Sequence, residues 1–230
     1  MTTTYALPSG RVFTLENAAR KLELRAGLPG AYLYDRATQA LRRARASGLV
    51  GDARLDLAFA SSWLVNSPLP SPALRALATP PAREVLAALV SALEVLPEEI
   101  DDTLAEELAT GVESLSSVLG DKRSSGAEGL SKLLALLVPE SVPLLPSPAC
   151  EFLLGTPPSD PGPRFVEGLR AFRRAAFALY DGLVDVAREH SVAVLDAAQV
   201  LDRLLWVDSE GYKHLPELAK ARAEVGSEAG

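Results

Sequence analysis

The side chains able to do covalent, metal or acid–base chemistry fall into a few groups, and their spacing limits each one. Cys150 is the single cysteine, so no disulfide forms within the chain and no cysteine-based zinc set can be assembled. It sits one turn into an apolar helical pattern, Pro148-Ala-Cys-Glu-Phe-Leu-Leu, where a small buried hydrophobe is expected rather than an activated thiolate. His190 and His214 are the two histidines. They are far apart and lack a His-x-x-x-His or Glu-x-x-His spacing, so they form no metal motif. His190 falls on a core-facing seam near a helix end and is expected to pack and cap; His214 follows a turn and is expected to be exposed. Glu98, Glu99, Asp101, Asp102, Glu106 and Glu107 crowd one helix start, with positions 98, 102 and 106 on one face. A solvated acidic face is expected there, with a carboxylate site as the alternative. No glycine-rich phosphate loop and no Gly-x-Ser-x-Gly elbow occurs. No catalytic residue, metal ligand or cofactor is therefore assigned, and the chain is expected to be non-enzymatic.

Cations suggest contact rather than catalysis. Arg36, Arg42, Arg43 and Arg45 share one predicted helix, with Tyr32 and Tyr34 at its start, and form a candidate basic contact face for a phosphate backbone or stacked bases. The plainer alternative is that their stems cover apolar surface while Tyr32 and Leu41 face the core. The net charge of −7 and the pI of about 5.0 oppose general nucleic-acid affinity, which rests on phosphate neutralisation. Charge is also uneven. Basic residues dominate from Arg11 to Arg54, whereas nearly every charge from Glu84 to Glu113 is negative.

The elements that must position these groups are mostly helical. Tyr5 to Phe13 reads as a hairpin around Pro8-Ser9-Gly10. Thr14 is expected to cap a helix running to about Ala26, followed by helices over about 32–47 and 55–65. Ser71-Pro72, Thr79-Pro80 and Ser147-Pro148 each set a hydroxyl before a proline, a helix-start signal. Helices are expected over about 81–96 and from Pro97 to about Leu119, with 122–126 as a loop. Gly155 to Pro163 reads as a linker. Beyond it, Phe165, Leu169, Phe172, Ala176, Leu179, Leu183, Val186 and His190 make one long seam for packing in a bundle. A helix over about 192–204 and a second hairpin over 205–214 close the pattern. The expected fold is all-α: an irregular bundle of about eight to ten helices with two small β-hairpins. Its parts are residues 1–154, a linker at 155–163, and 164–230 packing back to make one unit.

At 230 residues and 48% hydrophobic, the chain can bury a large core. No apolar run approaches the roughly 20 residues needed to span a bilayer, and no signal-peptide pattern opens the chain. A cytoplasmic location with no membrane contact is expected, and the Ala-, Arg-, Leu- and Pro-rich composition suggests a bacterial source. The sequence sets no oligomeric state.

One stretch carries a resemblance. Gly129-x-Ser131-Lys132-Leu133-Leu134, then Pro139, Pro143 and Ser147 resemble a corner found in a widespread bacterial all-helical domain of unknown function, patterned Ser-Lys-Leu-Leu-x-x-x-x-Pro-x-x-x-Pro-φ-x-Asp-Ser with φ apolar. The likeness spans roughly Tyr32 to Leu154, with weaker echoes in residues 31–35 and 56–66. That corner is similar in turn to the one in helix-hairpin-helix DNA glycosylases, where a hairpin grips DNA and an acid serves catalysis. Pro146 stands here where the pattern has aspartate. The resemblance thus implies a vestigial corner at Lys132, Pro146 and Ser147, without the carboxylate needed for general-base work. A protein that binds another macromolecule, most simply a protein, is the leading expectation. A nucleic-acid-binding or processing module of helix-hairpin-helix type is the alternative. An immunity- or antitoxin-like helical protein, with its acidic helix covering a basic toxin, is a third.

Overall fold

The computed structural model describes residues 3–27, 29–48, 51–64, 75–119, 124–189 and 196–209. Among these the fold is all-α, an irregular helical bundle carrying one β-hairpin. In chain order the elements are β1 (Thr4–Ala6), β2 (Val12–Thr14), α1 (Ala18–Ala26), α2 (Pro29–Ala46), α3 (Gly51–Leu64), α4 (Pro80–Glu94), α5 (Asp102–Val118), α6 (Ser124–Leu137), α7 (Ser147–Leu154), α8 (Pro161–Ala178), α9 (Tyr180–Glu189) and α10 (Ala197–Ser209). Arg75 to Leu77 are helical as well.

The run Leu133-Leu-Ala-Leu-Leu-Val138 leaves no polar stripe on its helix, and such a helix has to lie inside. Leu130, Leu133, Leu134, Leu136 and Leu137 are all fully buried, and α2, α3, α5 and α8 pack around α6. Pro139 has no N–H to continue the helix. The chain then runs extended through the interior to Pro146, and its backbone donors are met by side chains. Leu144 N donates to Asp202 Oδ1 at 2.7 Å and Leu145 N to Ser131 Oγ at 3.1 Å, so this buried non-helical stretch carries no orphaned donor at these positions.

β1 and β2 pair antiparallel in the register Thr4↔Thr14, Tyr5↔Phe13, Ala6↔Val12. Their turn is tied to the end of α7. Ser9 Oγ donates to the Phe152 carbonyl at 2.7 Å, and Ser9 N to that of Leu153 at 3.1 Å. Phe13 meets Phe152 edge-on. Gly155 ends α7 at φ 77°, where a Cβ would stand 3.3 Å from Ser9 Cα, so both the backbone angle and the contact favour glycine.

Several expected boundaries move. Thr14 does not cap a helix; its Oγ1 accepts from Glu16 N, and α1 starts later, after Asn17 in the left-handed region. α5 begins at Asp102, not Pro97, because Asp101 is its cap and accepts from Leu104 N at 2.8 Å. The loop expected at 122–126 is helical from Ser124, and Pro161 to Pro163, expected in the linker, form the first turn of α8. The single seam helix is two, α8 and α9, divided at Leu179 with φ −104° and ψ 6°. Residues 205–209, expected in the second hairpin, are helical instead. α10 continues through Ser209, because Leu201, Leu204 and Leu205 keep helical spacing toward the core. Residues 210–214, like His190, His214 and Ser71-Pro72, lie outside the described residues.

α8 lies along α5 and against α7. Gly162 makes the first contact possible: a Cβ there would fall 2.5 Å from the Ala109 carbonyl oxygen. Arg170 of α8 reaches across to the Ile100 carbonyl at 2.8 Å and to Asp102 at 2.9 Å.

Candidate functional site

The corner formed by the end of α6 and the start of α7 holds a carboxylate after all, from an unexpected position. Ser147 is the first residue of α7, not its cap. Both its N–H and its hydroxyl donate to Glu128 Oε1, at 3.1 and 2.7 Å. An anion at a helix N-terminus is favourable, so Glu128 of α6 serves as a cap from outside the helix. Pro146 precedes it as extended backbone, and Lys132, half-buried on α6, pairs with no described carboxylate. The enclosed space between Glu128, Ser131, Ser147, Arg164 and Phe165 is about 20 Å³, room for about one water molecule. Cys150 lies beside it, 1% exposed, with its thiol directed at the Leu145 carbonyl. Burial pushes that thiol up to about 12, well above the usual range, and keeps it protonated and non-nucleophilic near neutral pH. The corner is a closed structural joint.

The four arginines of the candidate basic face do not form one surface. Arg36 and Arg43 are exposed on α2, and Arg43 donates to the Gln39 carbonyl. Arg42 turns the other way, pairing with Glu140 at 3.0 Å and Asp196 at 3.7 Å and donating to Gln199 Oε1 at 3.0 Å. Arg45 pairs with Glu94 at 3.4 Å and Glu140 at 3.7 Å. Tyr34 and Leu41 are buried. The same inner side of α2 carries Asp35, which accepts from Arg25 of α1 at 2.9 and 3.0 Å and from Arg203 of α10 at 2.9 Å. Arg25 and Arg203 are 3% and 5% exposed, so two buried guanidinium groups share this carboxylate. Nearby, burial raises the Tyr34 phenol and the Asp202 carboxyl above their usual ranges. Arg54 of α3 donates to Glu94 and to the Leu137 carbonyl, tying α3 to α4 and α6. Glu128, Asp35, Asp202 and Arg203 escaped the sequence argument because their partners lie on distant elements.

Among the described residues, two clefts open on the surface. The first, about 390 Å³, lies where the end of α8 meets the start of α10, and Phe177 and Tyr180 stand exposed beside it. Its charged groups are largely engaged. Glu140 and Asp196 face Arg42, and Arg173 donates to the Leu96 and Pro97 carbonyls. Glu98 lies at this cleft, ahead of α5, so it does not share a helical face with Asp102 and Glu106.

The second cleft, about 590 Å³, is a groove between α4 and α5. Leu89 and Leu108 form its floor, at 4% and 1% exposure; Val85, Ala88 and Ala92 wall it on α4; Thr103, Glu106, Glu107 and Thr110 wall it on α5. Gly111 lets α5 approach Leu89, where an added Cβ would lie 3.5 Å from Cδ1. Between Glu84 and Glu113 the chain has nine acidic residues and neither lysine nor arginine. Among the described residues no cation pairs with Glu84, Glu106, Glu107 or Glu113, though Asp102 is held by Arg170. The acidic run was legible in the sequence; the groove was not, although the small residues Ala88, Ala92 and Gly111 were its available signal.

No group of three or more His, Cys, Asp or Glu among the described residues is arranged to hold a metal ion. No helix among them is long and apolar enough to cross a membrane. Compared with known proteins, the chain matches no family model, no curated protein and no solved structure.

Proposed function

We propose that this protein acts by binding another protein through the α4–α5 surface, without covalent chemistry of its own. The observation that carries this is an open apolar-floored groove whose α5 wall carries Glu106 and Glu107, exposed and with no described cation paired to them. Burying apolar area drives association, and uncompensated charge selects a partner of opposite sign and speeds the encounter. The rest of the polar machinery supports a scaffold role. Cys150 is held as a thiol, the Ser147 corner is closed by Glu128, and Arg42 and Arg45 pair with half-buried carboxylates of the same chain. Those internal pairs also weigh against the helix-hairpin-helix nucleic-acid alternative, since phosphate would have to displace them.

The test is capture from the host with tagged full-length protein, beside the double variant Glu106→Lys, Glu107→Lys. A specific partner retained by the wild type and lost by the variant, with an unchanged helical spectrum, is the expected result. A partner held equally by both proteins would remove this surface from the function.

A further inference from the structure

We infer that the occupant of the α4–α5 groove is an amphipathic helix of the partner, with one apolar stripe flanked by lysines or arginines. This rests on the partner-binding function above and specifies its ligand. From Val85 to Leu93, α4 has one polar residue, Ser91. Its outward side carries Glu84, Ala87, Ala88 and Ser91, so the small side chains leave apolar surface open there. Leu86, Val90 and Leu93 turn into the core, yet Ala88 is exposed and Val85 and Ala92 are half-exposed. The groove-lining set Val85, Ala88, Leu89 and Ala92 has the i, i+3, i+4, i+7 spacing of a helix–helix contact face, with Leu89 buried at its base. α5 covers the Leu89 side of this stripe through Gly111, and the Ala88 edge is left exposed.

Length and wall height fit a helix. The lining spans Val85 to Ala92 on one side and Thr103 to Gly111 on the other, or about 10–12 Å at the helical rise, roughly two turns. Ala88, Ala92, Thr103, Thr110 and Gly111 keep the walls low, which suits interaxial distances of about 8–10 Å. Charge fixes the flank on the α5 side. Glu106 and Glu107 stand exposed on that wall. Lysines or arginines bordering the incoming stripe would meet them, whereas an acidic helix, a nucleic acid or an anionic lipid surface would be repelled.

The probe is a fluorescent synthetic peptide of about five turns built from Leu, Ala and Lys, with Leu at helical stripe spacing and Lys on both flanks. A scrambled peptide of equal composition and a version with Glu for Lys are controls. Full-length protein is titrated at two salt concentrations. The patterned peptide is expected to bind about tenfold or more tightly than the scramble. Glu106→Lys, Glu107→Lys should weaken it by a similar factor. Ala88→Glu separates the two contributions: it adds favourable charge while spoiling the apolar wall, so weaker binding is expected. Equal affinity for the scramble, or tighter binding by Ala88→Glu, would overturn the inference in favour of diffuse charge attraction. Self-association abolished by Ala88→Glu would assign the groove to a second copy of the chain and likewise overturn it. Should the peptides fail while host capture still depends on Glu106 and Glu107, partner binding stands and the helical form of the ligand falls.

Discussion

The inner side of α2 and the outer side of α5 use the same charged chemistry to opposite ends. On α2, Asp35, Arg42 and Arg45 point toward other elements and pair with groups on α1, α4, α10 and the segment after α6. On α5, Glu106, Glu107 and Glu113 point outward, and no described cation meets them. The first arrangement fixes how helices dock. The second leaves an electrostatic field with nothing inside the molecule to answer it. A charge run in a sequence does not distinguish the two, because the distinction lies in what the fold brings opposite.

The contrast breaks most sharply at Asp35. Asp35→Asn would leave the buried Arg25 and Arg203 sharing a neutral amide. Losing one member of a buried ion network costs about 3–5 kcal/mol, to be read as a shift in denaturant midpoint. A loss below about 1 kcal/mol, the range of exposed pairs, would show that the α2 network is no more structural than a surface one.

Asp202 sharpens the same side through pH. Burial raises its folded-state pKa above the ordinary value of 3.8, so the native state binds this proton more tightly than the unfolded chain does. Its contribution to stability is complete below the unfolded value and is lost as pH rises through the raised one. In Asp202→Asn the amide oxygen can still accept from Leu144 N, but the titration is gone. Unfolding free energy of the wild type minus that of the variant should therefore fall from about pH 4 upward. A difference that rises over this window would mean that Arg203 and Arg25 outweigh burial.

The smallest effect belongs to the acidic groove. Glu106→Gln with Glu107→Gln should change stability by no more than about 0.5 kcal/mol, since neither side chain supports the fold, while host capture weakens. Large destabilisation would place these acids with the α2 network, as parts of the architecture.

The helices were legible because their signals are local. Apolar stripes, proline at helix starts and the turn at Gly10 each act within a few residues. What failed also failed locally. Trp206, Val207 and Asp208 look like a strand in isolation, but their helical conformation continues the buried Leu201–Leu204–Leu205 stripe, and Lys21 of α1 holds Asp208 at 2.7 Å. The site was less legible still. Pro146 hid the fact that Glu128, nineteen residues before Ser147, supplies the corner's carboxylate. The four arginines of α2 read as one face, yet Arg42 and Arg45 turn toward partners such as Asp196 and Glu94, far along the chain. The acidic run was plain, but only packing α4 against α5 makes it the rim of a groove.

The central claim is tested most directly by placing a photo-crosslinking amino acid, one position at a time, at Ala88 and Thr110 in the groove and at Arg43 on α2, in protein expressed in its host. Cross-links to one partner protein from 88 and 110, with none from 43, are the expected result. Cross-links from 43 with silence at both groove positions would contradict the account.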